Sequence, residues 1–581
     1  MNRRERCKQT NEATGVVKGG KAADHGFKGE QLAGEGKIDA AIVAFRRAIS
    51  IDPQYAAAHH NLGILLRRQG LLDEAIESYT RATAIQPDFV EAHYNLGNAL
   101  FDLGDLDAAV ASYHKALAIK PDFAQAHNNL GNALIKLGKL DESLVCYQKA
   151  LAVEAEYDEA HKNLGNALQQ LGQLEDAVAS YHKALAINPD FAEAHNNLGL
   201  ALQSLERPDE AVASYHKALT VRPNFPKAHN NLGLALQDLG RMEDAVASYR
   251  KALAINPDYA EAHHNLGLAL LLDGQLKEGW DEYEWRWQAG DGEKLRHFTQ
   301  ALWREEPIQG KTILVWGEQG VGDEVFFASM VPDLIDAGAK VVLECDPRLV
   351  PLYRRSFPGA ECIARKNPPA QVTLGGDIDF QAPSGDLGRW FRADLASFPA
   401  RSGFLKADPA QTAELRARYQ ERFPGRHLVG LSWRSGSKST GVGRSIPLAD
   451  WLAILSHPRC AFVSLQYGDV EEELDGLRRD HGIDILRDPD MDPFRDIDGL
   501  ASQIAAMDSV FSIATVTLQL AGALGVPTWA LLMKTPDWRW MLDRDNSPWY
   551  PSVKLFRQTR AGEWADVIGR VSGALQDFLA P

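Results

Sequence analysis

Three short segments in the second half of this 581-residue chain gather residue types that handle anions or move protons. In GEQGVGDEVFFASMVPDL, Gly317, Gly320 and Gly322 follow the apolar run Ile313-Leu314-Val315-Trp316, and Asp323 stands where the glycine-rich turn becomes a helix. Glycines there let the backbone approach a ligand closely. A carboxylate at such a position is either a helix cap, favourable to the dipole, or a general base facing a cleft. In VGLSWRSGSKSTGVGR, Ser435, Gly436, Ser437, Lys438 and Arg444 follow a second strand. Loop amides with two cations suit a diphosphate, and the same residues equally describe a solvated basic loop. In ATVTLQLAGALG, Thr515 and Thr517 fall at a helix start after the strand SVFSI, where free amides and hydroxyls suit an anionic group or simply cap the helix.

The elements that must carry these segments are short apolar runs alternating with helix-like stretches: TILVWG at 312, KVVLEC at 340, HLVGLSW at 427, AFVSLQY at 461, SVFSI at 509 and TWALLM at 528. They read as buried parallel strands. A charged helix-like stretch from Pro409 to Arg426 precedes the second strand and glycine loop, which divides the region into two α/β halves, 294–415 and 416–581. Ligands of such sheets sit beyond the carboxyl ends of the strands, so the two halves are expected to face each other across a cleft.

The first half of the chain is one unit copied many times. Asn61, Asn95, Asn129, Asn163, Asn197, Asn231 and Asn265 recur every 34 residues, each followed by Leu-Gly, and Pro53, Pro87, Pro121, Pro189, Pro223 and Pro257 set the frame, with Ala155 at the missing step. Eight units run from about 22 to 293, after a polar, disordered N-terminus over 1–21. Each reads as a helix pair: Gly63, Ala75, Tyr79 and Ala82 are small or aromatic at helical spacing, and Gly70 punctuates the turn. The first copy has Phe27 in place of asparagine. The eighth has Gly279 and Arg286 in place of alanines, and its Trp280, Tyr283, Trp285 and Trp287 predict a hydrophobic seat for the next domain.

This period and its small-residue positions closely resemble the tetratricopeptide repeat, which stacks into an α-solenoid. In such arrays the asparagine position lines the concave groove, where a carboxamide pairs with a peptide unit whatever its side chain. Helix layers about 10 Å apart match about three residues of extended chain. Asn98, Asn132 and Asn166 add a second row one turn along the same face. The alternative is that the asparagines bond to a neighbouring repeat and only fix the superhelix. His59, His93, His127, His161, His195, His229 and His263, on separate helices, read as packing residues and not as a metal site.

A formal net charge of -16 argues against a nucleic-acid or anionic-membrane surface. Five scattered cysteines without metal-ligand spacing suit a reducing cytoplasm. No apolar run approaches the roughly 20 residues that cross a bilayer, and the start of the chain has no apolar core of a secretion signal. A cytoplasmic location is therefore expected.

The C-terminal part, from about 300, resembles bacterial glycosyltransferases of the two-Rossmann, metal-independent type related to the heptosyltransferases. The resemblance rests on GEQGVGDEVFFASMVPDL, SLQYGDVEEEL, LQLAGALGVPTW and PDWRWMLDRDNSPWYPSVKLFRQ. The repeats in turn resemble those of protein O-GlcNAc transferase. The resemblance implies a fold of solenoid followed by a two-Rossmann domain, and a protein glycosyltransferase that holds a polypeptide, flagellin or another surface protein among the candidates, in its groove. It further implies transfer of a sugar from a nucleotide-sugar co-substrate to a Ser or Thr hydroxyl without a metal or other cofactor. Asp323 matches the base, while Ser435, Gly436, Lys438, Arg444, Thr515 and Thr517 would hold the donor. The chain departs from its relatives at Ala514 and Gln519, where aspartate and histidine are usual. That departure points to a different donor or to a non-catalytic scaffold or chaperone. A lipid-linked saccharide acceptor would leave the repeats without a use.

Overall fold

The computed structural model describes residues 20–290, 295–296, 298–366, 369–370, 373, 375–436 and 441–580. The expected disordered leader lies, but for its last two residues, outside them. The chain divides into two compact units, Met1–Asn224 and Phe225–Pro581.

In the first unit a helix at 20–34 is followed by helices of 13 or 14 residues, from Ile38–Ile51 to Pro208–Val221. The expected pairing chemistry is present. A Cβ on Gly97 would lie 2.6 Å from the Tyr113 ring, so that ring presses on bare backbone of the partner helix. Ala109 and Ala116, one turn either side of it, are fully buried. Gly131 with Tyr147 and Gly165 with Tyr181 repeat the arrangement.

The turns inside these pairs need a left-handed residue, supplied by Gly70 at φ +78° and Gly104 at φ +91°. The sixth repeat has Glu206 there instead, at φ +58°. A residue with a Cβ pays for that conformation by roughly 1 kcal/mol. Glu206→Gly is expected to raise the stability of the unit by about that amount in chemical denaturation; unchanged stability would show that the turn is not strained.

The histidine row holds the links between repeats. Nε2 of His93, His127 and His195 donates to the carbonyls of Pro87, Pro121 and Pro189 at 2.9 Å, and His161 does the same to Ala155 at 3.0 Å, where the proline is missing. Burial pushes His59, His127, His161 and His195 below the ordinary value of 6.5. Nδ1 of His127, His161 and His195 is buried without a partner, so a second ring proton would be stranded. The neutral ring is therefore the folded form. Its contribution to stability is complete above pH 6.5 and is lost as pH falls from there through the lowered folded values. Melting temperature should drop between pH 7 and pH 5.5, and it should drop less in a variant with His127, His161 and His195 changed to Gln.

The second unit opens with four repeat helices, Pro226–Asp238, Met242–Ile255, Ala260–Leu272 and Leu276–Tyr283, and continues into two parallel sheets. The first sheet contains β1 (Ala301–Leu302), β2 (Thr312–Trp316), β3 (Lys340–Cys345), β4 (Ala360–Ala364) and β5 (Phe380–Pro383), in the order β1-β5-β2-β3-β4. The second contains β6 (His427–Ser432), β7 (Cys460–Ser464), β8 (Ile485–Leu486), β9 (Ser509–Ile513), β10 (Thr528–Leu532) and β11 (Val553–Arg557), in the order β11-β10-β9-β6-β7-β8. Every neighbouring pair is parallel. All six expected strands form. The chain order therefore reverses between β6 and β9 in one sheet and between β2 and β5 in the other, and such switch points open crevices at the carboxyl ends.

The compact division falls at 224/225 and not at the expected 293/294, because the eighth repeat packs into the sheets. Trp280 is 2% exposed, meets Trp538 edge-on at 5.3 Å and donates its indole N–H to the Arg392 carbonyl at 2.9 Å. Trp287 packs on Trp316 at 5.6 Å. Trp285 differs from the expected seat: it stacks on His263 at 4.0 Å, within the repeats.

Candidate functional site

A cleft of about 360 Å³ opens where the carboxyl ends of both sheets meet, lined by Val321 and Gly322 from the first half and Ser435, Gly436, Thr515 and Val516 from the second. Two helix starts converge on it. Helix Val321–Phe327 begins at Gly320, and helix Val516–Ala523 begins at Thr515, which makes no side-chain cap. The Thr515 hydroxyl instead meets Ser432 and Ser512, each at 3.3 Å, at the β6–β9 switch point. Uncapped amides at the positive end of a helix favour an anion.

Arg348, Tyr467, Pro493, Phe494 and Ile497 complete the lining and were not picked out from the sequence. Arg348 follows β3, and Asp346 grips it through two bonds at 2.9 and 3.0 Å. That pairing holds the Asp346 carboxyl below its ordinary value. Arg348 also donates to the Phe494 carbonyl at 2.9 Å and stacks over its ring, joining the two halves. Its position just past a parallel strand was the available signal.

The expected site residues divide. Gly322 reaches the cleft, where a Cβ would stand 3.8 Å from Val516. Ser435 and Gly436 also reach it, but their amides are engaged, donating to Ser445 Oγ at 3.0 Å and to the Tyr467 hydroxyl at 2.5 Å. Thr517 is a correction: it is fully buried, its hydroxyl aimed at the Leu465 carbonyl, because the second residue of that helix faces the sheet. Arg444 is another, lining a separate small cavity with Ala514, Met533 and Asp537. Lys438 lies outside the described residues. Gln519 accepts a bond from Tyr550 at 2.6 Å and belongs to the packing beneath the cleft.

Asp323 uses both carboxylate oxygens. Oδ2 accepts the Gly320 N–H at 3.1 Å, and Oδ1 pairs with buried Arg539, whose guanidinium is also held by Asp537 at 2.8 Å. Of its two readings, the cap is the one these bonds describe. Each oxygen keeps a second lone pair, so these bonds orient the carboxylate and leave it able to accept a proton.

The glycine-rich turn is set from outside its own sheet. Arg286 of the eighth repeat, 7% exposed, makes two bonds to Glu318 at 2.9 and 3.0 Å and one to Asp386 at 2.5 Å, with its guanidinium between the rings of Tyr283 and Trp287. Glu318 also accepts the Gly385 N–H at 2.6 Å. Burial pushes the Glu318 carboxyl up, and the guanidinium opposes that push. The next residue, Gln319, is left-handed at φ +60° and donates to the Tyr283 hydroxyl at 3.1 Å.

The asparagine row makes the repeat-to-repeat bonds that the structural alternative describes. Asn61 donates to Glu30, Asn129 to Tyr94 and Asn98, Asn163 to Asn128, Asn197 to Asn166 and Asn265 to Asn230, all at 2.8 to 3.1 Å. Asn95 bonds His60 at 2.9 Å. Each bond crosses to the preceding repeat, and Asn231 too has a partner. A carboxamide at the sixth position of its helix reaches the preceding repeat, so the spacing alone did not distinguish groove from neighbour.

Among the described residues no group of histidine, cysteine and carboxylate side chains is arranged to hold a metal ion, and no helix is long and apolar enough to cross a membrane.

Comparison with known proteins bears on the repeats. The sequence model of the TPR repeat matches residues 29–70, 65–104, 97–138, 131–172, 165–206 and 236–274, and that of the tetratricopeptide repeat matches 192–225. The chain is 34% identical over 328 residues to Protein FlbA of Caulobacter vibrioides, an alignment covering 53% of this chain and 54% of that protein. It thus spans about half the length of this curated relative. Among solved structures, YrrB, described as a TPR protein with an unusual peptide-binding site, is 25% identical, covering 32% of this chain and 95% of its own with a TM-score of 0.28. TTC0263, a thermophilic TPR protein of Thermus thermophilus, is 28% identical, covering 32% and 100% with a TM-score of 0.28. Residues 29–225 and 236–274 are therefore tetratricopeptide repeats.

Proposed function

We propose that the second unit is a two-Rossmann glycosyltransferase that uses a nucleotide sugar, and that the repeats hold its polypeptide acceptor. The observation that carries this reading is the meeting of two helix starts and Arg348 in one cleft at the β6–β9 switch point. The second sheet, counted from its own first strand, runs 3-2-1-4-5-6, the order of dinucleotide-binding sheets. In the reaction a Ser or Thr hydroxyl attacks sugar C1, the bond from C1 to the diphosphate oxygen breaks, and the departing nucleoside diphosphate takes the electron pair. The helix amides and Arg348 stabilise that charge. The hydroxyl proton passes to Asp323, whose carboxylate Arg539 orients.

A second reading keeps ligand binding without turnover, as an interaction scaffold. The engagement of both Asp323 oxygens favours it. Incubating the protein with a panel of nucleotide sugars and an acceptor lysate, and following nucleoside diphosphate release, separates the two. Turnover by the wild type that falls at least about 100-fold in Asp323→Asn supports the transferase. Donor binding with no release by either protein supports the scaffold.

A further inference from the structure

A second cavity, of about 1140 Å³, opens between helix Leu276–Tyr283 and the loops of the first sheet, and it shares no residue with the cleft. Pro307 and Ile308 in its wall precede β2 and Ala337 precedes β3, so it lies at the amino ends of these strands, away from the crevice at their carboxyl ends. Small-molecule sites enclose roughly 300–1,000 Å³. This one has room for a segment of chain.

One wall is aromatic. Trp303 meets Trp390 at 5.6 Å with the ring planes 60° apart and lies 6.1 Å from Phe391, which makes a corner of three rings. The loop after β1 fixes that corner. The Trp303 indole donates to the Glu306 carbonyl at 2.9 Å, the Glu306 carboxylate accepts the Arg304 N–H at 2.7 Å, and the bend between them puts Glu305 at φ +91°. A residue with a Cβ is strained there, and such strain gathers where ligands are held.

Charge selects the ligand. Among the cations of the wall, Arg389 is held by Asp281 and Glu284, each at 2.9 Å, and Arg304 pairs with Glu284. Glu305, Glu306 and Asp394 are left against Lys277, and none of these four makes an ion pair among the described residues. Indole faces beside surplus carboxylates attract a cation, and the long apolar stems of lysine and arginine lie well along such rings. A neutral saccharide would meet the rings but gain nothing from the surplus charge.

We infer that this cavity is a docking site for a basic segment of a partner polypeptide, its Lys or Arg stems lying along Trp303 and Trp390 and its charges facing Glu305 and Glu306. The site stands apart from both the transferase reading of the cleft and the groove of the repeats.

The test is fluorescence anisotropy of the full-length protein with a fluorescein-labelled Arg-Gly-Ser repeat peptide of about 12 residues, roughly 40 Å when extended, beside the same peptide with Gln for Arg. The Arg peptide should bind saturably and at least about tenfold more tightly than the Gln peptide. Because the chain carries a net charge of -16, variants show where the peptide binds. Glu305→Gln with Glu306→Gln keeps an acceptor for the Arg304 N–H and should weaken binding about tenfold. Lys277→Glu adds a carboxylate to the wall and should tighten binding by a few fold, a gain that misfolding does not produce. No binding of the Arg peptide at millimolar concentration, or binding that neither variant changes, would overturn the inference. Equal binding of the two peptides would overturn the charge selection, and displacement of the Arg peptide by millimolar maltotriose would assign the aromatic corner to a saccharide instead.

Discussion

Arg286→Ala is expected to destabilise the Phe225–Pro581 unit by about 3–5 kcal/mol. The guanidinium is the partner of Glu318, whose side chain is 1% exposed, and removing it leaves a buried carboxylate with only the Gly385 N–H to face. The loss comes mostly from that stranded charge and less from the pair itself, because two ions buried together recover little more than their desolvation cost. Arg286→Met combined with Glu318→Gln removes both charges and should therefore recover most of the stability. Denaturation followed by tryptophan fluorescence reads both variants. Equal loss in the single and double variants would show that packing against Tyr283 and Trp287, and not charge, sets the value of Arg286.

Trp280→Ala should cost a comparable 3–5 kcal/mol or so, as for other large aromatic side chains removed from a close-packed core. The indole packs on Trp538 at 5.3 Å, Tyr283 at 5.7 Å and Trp549 at 6.4 Å, and it lies directly on Gly388, where no Cβ would fit. Truncation opens a cavity among rings that belong to the repeat, the first half and the tryptophan-rich segment after β10. It also strands the Arg392 carbonyl. Loss of cooperative unfolding, with the repeats melting separately from the sheets, is the expected signature. A single unchanged transition would mean that the eighth repeat is not the joint.

Much of this architecture was readable in the chain because packing in it is periodic. Gly97 under Tyr113 has to be small whatever the rest of the protein does, and copies of that pair announce themselves. The long central strands were legible for the same reason: TILVW and SVFSI are buried on both faces and read as unbroken apolar runs. β1 and β8, two residues each, lack a run to detect, and β5 ends in Pro383, which reads as a break. β11 was hidden inside a tryptophan-rich segment read for its resemblance.

The site was less legible than the fold, since direction is not written in spacing. Thr515 and Thr517 look equivalent in sequence, yet one lines the cleft and the other faces the sheet. The two asparagine rows look alike in sequence, yet the second also accepts the tyrosine hydroxyls of its own repeats. Arg348 is charged and follows an aspartate, as many surface arginines do; only the sheet order brings it to the cleft. The tie from Arg286 to Glu318 joins residues 32 apart in different folds, beyond any local pattern.

The central claim is that the cleft at the β6–β9 switch point takes a nucleoside diphosphate. Its most direct test is calorimetric titration with uridine, guanosine, adenosine, cytidine and thymidine diphosphates of the wild type and of Thr515→Glu, which sets a carboxylate at the helix start without burying it. Saturable binding of at least one nucleotide by the wild type, abolished in Thr515→Glu with the melting temperature kept, is the predicted result. No binding of any of the five at millimolar concentration, or equal binding by both proteins, would contradict it.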